Sequence, residues 1–150
     1  MRVTAKVDYA VRALVELAAA AATVKGERIA HAQSIPLKFL ENILAELRRA
    51  GIVGSQRGAE GGYRLARPAN AVTVADVIRA VEGPLADVHG TPPESLEAPG
   101  LAAPVREVWL ATRAALRSVL EVVTIDDIAT GNLPPIVTDL LADPAAWARR

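Results

Sequence analysis

Residues 34–66 read SIPLKFLENILAELRRAGIVGSQRGAEGGYRLA. Pro36 suits the first position of a helix, where its missing N–H costs nothing, and Gly51 suits the left-handed residue that ends one. Ser34-Ile35 is a tight turn before this helix. Between Pro36 and Gly51, apolar residues recur at i, i+3, i+4 and i+7, which predicts one buried helix face. That face consists of Leu40, Ile43, Leu44 and Leu47.

Two short arms around a glycine-rich tip follow that helix. Residues 52–57 predict a first strand and residues 63–66, which alternate in polarity, predict a second. A hairpin tip that needs positive φ explains the glycines between them. A phosphate-binding loop is excluded, because the Gly-Lys-Ser/Thr ending is missing and the glycines open a strand rather than a helix. The tip glycines are Gly58, Gly61 and Gly62.

Helical patterns flank this stretch on both sides. Residues 4–22 carry an apolar stripe with Thr4 as N-cap, and residues 27–33 form a short helix. After the hairpin, a capping box at Thr73 opens a helix that runs to residue 82. A winged helix-turn-helix has the same order of elements: a helix, a short helix, a turn, a second helix and a hairpin. The stripe of the first helix consists of Val7, Val11, Leu14, Ala18 and Ala21.

The winged domain is predicted to span residues 1–83, and three segments follow it. Residues 84–104 are an irregular, proline-rich loop. Residues 105–131 contain a long helix to about residue 123 and a short helix opened by a second capping box, and residues 132–150 form a tail. We therefore expect a mainly α fold with a small β-hairpin. The wide apolar stripe of the long helix predicts packing either on the first helix or on a second subunit. The candidate dimer residues on this stripe are Val105, Val108, Trp109, Leu116, Val119, Leu120 and Val123.

Composition excludes several classes of protein. The chain has 150 residues and no cysteine, so disulfide frameworks, thiolate nucleophiles and cysteine-held metal sites are ruled out. The longest apolar run, residues 17–22, is too short to span a bilayer, and the N-terminus lacks the apolar core of a signal peptide. We expect a soluble cytoplasmic protein that does not bind membranes.

The net charge of zero hides a basic half and an acidic half. Residues 1–80 carry 12 Lys or Arg and 7 Asp or Glu, whereas residues 81–150 carry 5 and 10. Such asymmetry favours a polyanion as the partner of the first half. Because the second helix of a helix-turn-helix enters the major groove, its outward residues Lys38, Glu41 and Asn42 are candidate base contacts. Further candidates are Arg57 and the tip glycines in the wing, and Arg2, Lys6 and Arg64 as phosphate contacts.

The sequence resembles the IscR/NsrR/CymR-type bacterial transcription regulators, the Rrf2 family, over roughly residues 1–84. The resemblance implies a homodimer that binds a partly palindromic operator, with the long helix as the dimer element and the preceding loop as the sensor. It also implies that Lys38 and Glu41 are recognition-helix contacts and that Arg57 enters the minor groove. The resemblance rests on MRVTAK, Asp8-Tyr9-Ala10, Ile29-Ala30, the runs 35–44, 47–55 and 57–67, Val72-Thr73 and residues 80–83.

One departure from the family is as informative as the match. Many relatives hold an iron–sulphur cluster with three cysteines in the loop before the long helix, and this chain has none. Arg106 also stands where some relatives place a histidine ligand. We therefore expect no cofactor and no metal, since Asp87 and His89 alone do not make a site. Control by a small-molecule effector or a protein partner is the remaining expectation.

Two functions stay open at this stage. The first is a dimeric, sequence-specific DNA-binding regulator, most simply a repressor of transcription that binds double-stranded DNA. The second is an adaptor whose acidic half binds a protein partner and whose DNA binding is weak or lost. An enzyme is not supported, because the sequence holds no nucleophile–base pair, nucleotide fingerprint or metal triad.

Overall fold

The computed structural model describes residues 2–148. Its nine longer elements form one helical body with a two-stranded hairpin, and short 3-10 turns connect some of them. In chain order they are α1 (Ala5–Ala19), α2 (Gly26–Gln33), α3 (Leu37–Arg49), β1 (Val53–Gln56), β2 (Gly62–Leu65), α4 (Val74–Val81), α5 (Val105–Leu120), α6 (Ile125–Thr130) and α7 (Pro135–Leu141). The predicted fold class, mainly α with a small hairpin, is confirmed.

The helix α1 lies at the centre of the core. It contacts α2, α3, α4, α6 and β2, so it buries a wide face that no single stripe describes. Of the predicted stripe, Val7 and Leu14 are buried and Val11 and Ala18 are half-buried against the core, whereas Ala21 is wrong, because it is exposed beyond the end of the helix. Packing against five neighbours, rather than periodicity alone, selects the buried residues, which are Val7, Ala10, Ala13, Leu14 and Leu17.

The helix α3 matches the prediction closely. Its four predicted core residues are fully buried, and Gly51 follows the helix with φ +70°, as a left-handed terminating residue. Pro36 differs by one position, since it precedes the first helical residue instead of occupying it. Burying four aliphatic side chains of this size stabilises the fold by about 1.5–3 kcal/mol each.

The hairpin is held by a segment far away in sequence. The strands β1 and β2 pair antiparallel from Val53↔Leu65 to Gln56↔Gly62. Tyr63 also exchanges two backbone hydrogen bonds with Val24, both 2.8 Å between N and O. The segment between α1 and α2 therefore acts as a short third strand at the base of the wing.

The helices α4 and α6 begin with the two predicted capping boxes, at Thr73 and Thr124, and both are confirmed. The two caps lie side by side: Val74 donates its N–H to the carbonyl of Val123, and Ile125 donates to that of Val72, each at 2.9 Å. The helix α6 thus packs on α1 within the N-terminal core. It belongs there in space, although the predicted segment 105–131 groups it with the long helix.

The helix α5 is largely exposed. Not one of its 16 residues is fully buried in the protomer. The predicted loop before it contains a Val88↔Thr91 bridge and two 3-10 turns, and the predicted tail contains α7. Among residues 2–148, no helix has the length and apolar character needed to cross a membrane.

Candidate nucleic-acid interface

The angle between α2 and α3 is set by the turn that joins them. Ser34 ends α2 in the left-handed conformation, with φ 52°. Ile35 is buried, and its N–H binds the carbonyl of Ala30 at 2.9 Å. Because Ile29 of α2 and Leu40 of α3 are also fully buried, the two helices are fixed as a helix-turn-helix with the outer face of α3 free.

The three predicted base-contact residues lie together on the outer face of α3. Lys38, Glu41 and Asn42 are all exposed, and the Lys38 side chain retains 89% of its accessible surface. The Lys38 ammonium lies 3.7 Å from a carboxylate oxygen of Glu41. An exposed ion pair of this kind contributes at most about 1 kcal/mol, so both side chains remain available to bind a partner.

The tip of the wing presents Arg57. This exposed residue directly follows β1, and the turn after it depends on glycine. A Cβ on Gly61 would lie 2.5 Å from the carbonyl oxygen of Gln56. Gly62 has φ +156°, and a Cβ there would meet the Val24 carbonyl at 2.6 Å. Gly58, with φ +102° and open space around it, needs glycine for its backbone conformation alone.

The sides of the wing add further cations. Arg64 of β2 is exposed and lies opposite Gly54 of β1. Arg48, at the end of α3, donates a 3.1 Å hydrogen bond to the hydroxyl of Ser55 in β1. This contact couples α3 to the wing, and no local sequence pattern indicates it.

Two predicted phosphate contacts, Lys6 and Arg2, belong neither to α3 nor to the wing. The Lys6 ammonium lies 2.8 Å from a carboxylate oxygen of Glu46 and 2.6 Å from the carbonyl of Val81. Since its charge is already paired within the fold, Lys6 is a structural residue, and we withdraw its phosphate role. Arg2 lines the same hollow as Glu82 and Asp87, and its phosphate role stays a prediction.

The structure supplies two other cations near the helix-turn-helix. Lys25 and Arg28 are exposed at the beginning of α2, and the first helix of such a motif crosses the DNA backbone. Residues 25–67 contain eight Lys or Arg and four Glu. This excess of positive charge suits a polyanion, and it is concentrated on the elements that carry the candidate base contacts.

The predicted dimer residues fall into three groups by exposure. Val105, Val108 and Trp109 are exposed. Leu116, Val119 and Leu120 are half-buried, with Leu120 against the core of its own chain, and Val123 is buried within the protomer. For Val123 the prediction is wrong, because its partners are in its own chain. The unpartnered face of α5 and its end consists instead of Val105, Val108, Ala111, Ala115 and Val122.

Comparison with known proteins places these features in a family. A family model, Rrf2, described as an iron-dependent transcriptional regulator, matches residues 3–131. A candidate HTH-type transcriptional regulator of Mycobacterium tuberculosis, Rv1287, is 48% identical over 95% of this chain and 90% of its own length. The structure of CymR, the global cysteine regulator of B. subtilis, superposes with a TM-score of 0.74 at 32% identity, covering 88% of this chain and 98% of CymR. The structure of T. potens IscR gives 0.68 at 31%, covering 100% and 94%.

The family description implies iron, and the residues of this chain do not fit a cluster held by thiolates. The sequence contains no cysteine, and within residues 2–148 no three or more His, Asp or Glu side chains are grouped as metal ligands. The likeness is otherwise continuous, since it runs from α1 through the wing to the end of α6. The chain belongs to the Rrf2 family of helix-turn-helix transcriptional regulators.

Proposed function

We propose that the protein is a dimeric, sequence-specific repressor that acts in the cytoplasm on double-stranded DNA. One observation carries the proposal: the exposed Lys38, Glu41 and Asn42 lie on one helix whose opposite face is fully buried. A rigid helix with a free polar face, next to a glycine-tipped wing, is suited to enter a major groove. The proposal includes no catalytic role.

Each side chain has a role that its chemistry supports. Lys38 can donate to the acceptor atoms of guanine, Glu41 can accept from cytosine N4, and Asn42 can bind adenine. Arg57 suits a narrow, electronegative minor groove beside the recognition site. Arg64 would neutralise a phosphate, which raises affinity for all sequences alike.

Dimerisation is proposed for α5. A 16-residue helix without a single fully buried residue exposes apolar surface that a second copy can cover. A two-fold dimer would present two copies of α3 to the same side of the DNA, about one helical turn apart, and would therefore select a partly palindromic site. We further propose that the loop 84–104 and α5 receive the signal, from a small ligand or a protein partner.

Selection of bound sequences from random duplex DNA tests this function. We expect the full chain to enrich a partly palindromic motif, and the double variant Lys38→Ala with Arg57→Ala to enrich none. Arg106→Ala, which removes a cation from α5, is the matched control and should select the same motif as the native chain. A folded dimer that enriches nothing would overturn the proposal in favour of a protein-binding adaptor.

A further inference from the structure

A cavity of about 430 Å³ lies between the end of α4, the loop after it and α5. The helices supply three guanidinium groups to its lining, and the loop supplies Asp87 and Glu94. This side of α5 faces its own chain, away from the unpartnered face that carries Val108 and Ala115. The three arginines are Arg79, Arg113 and Arg117.

Arg113 is the most deeply placed of these cations. Its side chain is only 15% exposed, and its Nη1 lies 2.6 Å from a carboxylate oxygen of Glu94, which is 57% exposed. A largely desolvated cation needs an anionic partner. Here that partner comes from an accessible loop side chain, which can rotate away while the backbone next to it stays anchored by the buried Pro93.

The other two arginines share a single partner. Arg79 and Arg117 both contact Oε1 of Glu121, Arg79 through a hydrogen bond and Arg117 with its Nε at 3.6 Å. Asp76 is a more distant partner of Arg79, at 3.9 Å. Three guanidinium groups on two helices are thus opposed at close range by two glutamates, Glu94 and the shared Glu121, with Asp76 and Asp87 as more distant carboxylates.

The ionisation of Glu94 is consistent with this electropositive lining. Its pKa is lowered by a hydrogen bond from its own backbone amide and next by the guanidinium of Arg113, with a smaller contribution from Arg117. Glu94 therefore remains a carboxylate at neutral pH and below. Its carboxylate binds the guanidinium of Arg113 as the carboxylate of a ligand would.

We propose that this cavity is the effector site of the regulator and takes a small organic anion with at least two carboxylate or phosphate groups. One group replaces Glu94 on Arg113, where a guanidinium can form two parallel hydrogen bonds. The second group lies between Arg79 and Arg117. The proposal deepens the regulatory part of the function proposed above and rests on it.

The same ion pairs connect this cavity to the wing. Asp76, besides facing Arg79, has an oxygen 4.0 Å from Arg67, which follows β2. An anion that draws Arg79 into the cavity weakens its contacts with Asp76 and Glu121, which link α4 to the wing and to α5. The ligand changes DNA affinity to the extent that it binds one of these arrangements better than the other.

Calorimetric titration of the full chain tests the site directly, without DNA. The probes are citrate, succinate and inorganic phosphate at constant ionic strength. We expect citrate to bind, Arg113→Gln to weaken its binding by at least about tenfold, and Glu94→Gln to strengthen it several-fold because the internal competitor is neutralised. Arg106 is an exposed arginine of α5 about two turns before Arg113. Arg106→Gln is therefore the matched control and should bind citrate as the native chain does.

Each outcome separates the site from the proposed function. No binding of any probe up to about 10 mM, or equal binding by the native chain and Arg113→Gln, overturns the site even if the protein binds its operator. Because Arg113→Gln could loosen the fold, Glu94→Gln provides a second criterion: unchanged or weaker citrate binding in that variant contradicts the exchange. Arg113-dependent citrate binding that leaves operator affinity unchanged overturns the regulatory role alone. If citrate binding depends on Arg113 but the protein selects no operator, the site is supported and the repressor function is refuted.

Discussion

At the scale of single residues, the candidate interface depends on exposed side chains of α3, where Lys38 and Glu41 pair only weakly with each other, and on wing glycines that no other residue can replace. Lys38, Glu41 and Asn42 project from a helix whose inner face is fully buried, so their positions are fixed although they are exposed. Lys6 illustrates the opposite case, since Glu46 and the Val81 carbonyl already hold its ammonium. Exposure and pairing, rather than charge alone, distinguish candidate contacts from structural cations.

Gly61→Ala should damage the wing while sparing the helical core. Its new Cβ would lie within 3 Å of backbone atoms of Gln56, Arg57 and Gly58, and relieving such a clash costs about 1–3 kcal/mol. We expect weaker DNA binding by about tenfold with an unchanged far-ultraviolet spectrum.

Gly54→Ala is the matched control in the same hairpin. A Cβ at Gly54 meets only the side chain of Arg64, at an ordinary 3.7 Å. DNA titrations of both variants should therefore differ clearly. Equal affinities would show that the shape of the tip does not matter for binding.

At the scale of elements, short local patterns predicted structure well, and packing between distant segments was out of their reach. The buried face of α3 and the capping boxes at Thr73 and Thr124 depend on residues three or four apart, so the sequence reveals them. The Val24–Tyr63 bridge and the Lys6–Glu46 ion pair join segments about 40 residues apart, and no periodicity encodes them. The stripe of α1 was partly wrong for the same reason.

The cap of α6 gives a pH-dependent prediction. Hydrogen bonds from the side chain and the backbone of Thr124 lower the pKa of Asp127 below its ordinary value of 3.8. The charged carboxylate therefore stabilises the fold above that value, and the contribution is lost as the pH falls through the lowered pKa. Asp127→Asn should lower the free energy of unfolding at pH 7 and have progressively less effect below about pH 4.

Urea unfolding at several pH values measures this difference. Asp126→Asn, in the same first turn of α6, is the control and should give a smaller change at pH 7. An effect of Asp127→Asn that does not shrink in acid would mean that the amide disturbs packing instead of removing a charged cap.

The exposed face of α5 gives a second prediction at this scale. Val108 keeps 56% of its accessible surface in the protomer, and a second copy would cover it in the proposed dimer. Val108→Glu buries a charge in that interface, which is strongly unfavourable, so we expect a monomer by light scattering. Arg106→Glu, on the other side of the same helix, should remain a dimer. A dimeric Val108→Glu variant would place the interface elsewhere.

At the scale of the whole molecule, the charge distribution follows the division of roles. The basic segment 25–67 forms the helix-turn-helix and wing, and the acidic second half supplies α5 and the loop before it. Both halves share one core, because α6 returns to pack on α1 and its cap is bonded to that of α4. A change at α5 can therefore reach the DNA-binding elements through packed structure and not only through a flexible linker.

The most direct test of the account is the ratio of affinities for the selected operator and for random DNA, measured at one salt concentration. Because Lys38 is assigned to a base and Arg64 to a phosphate, Lys38→Ala should reduce this ratio by about tenfold or more. Arg64→Ala should weaken both affinities by a similar factor and preserve the ratio. A Lys38→Ala variant that keeps the native ratio would contradict the assignment of α3 as the element that reads the sequence.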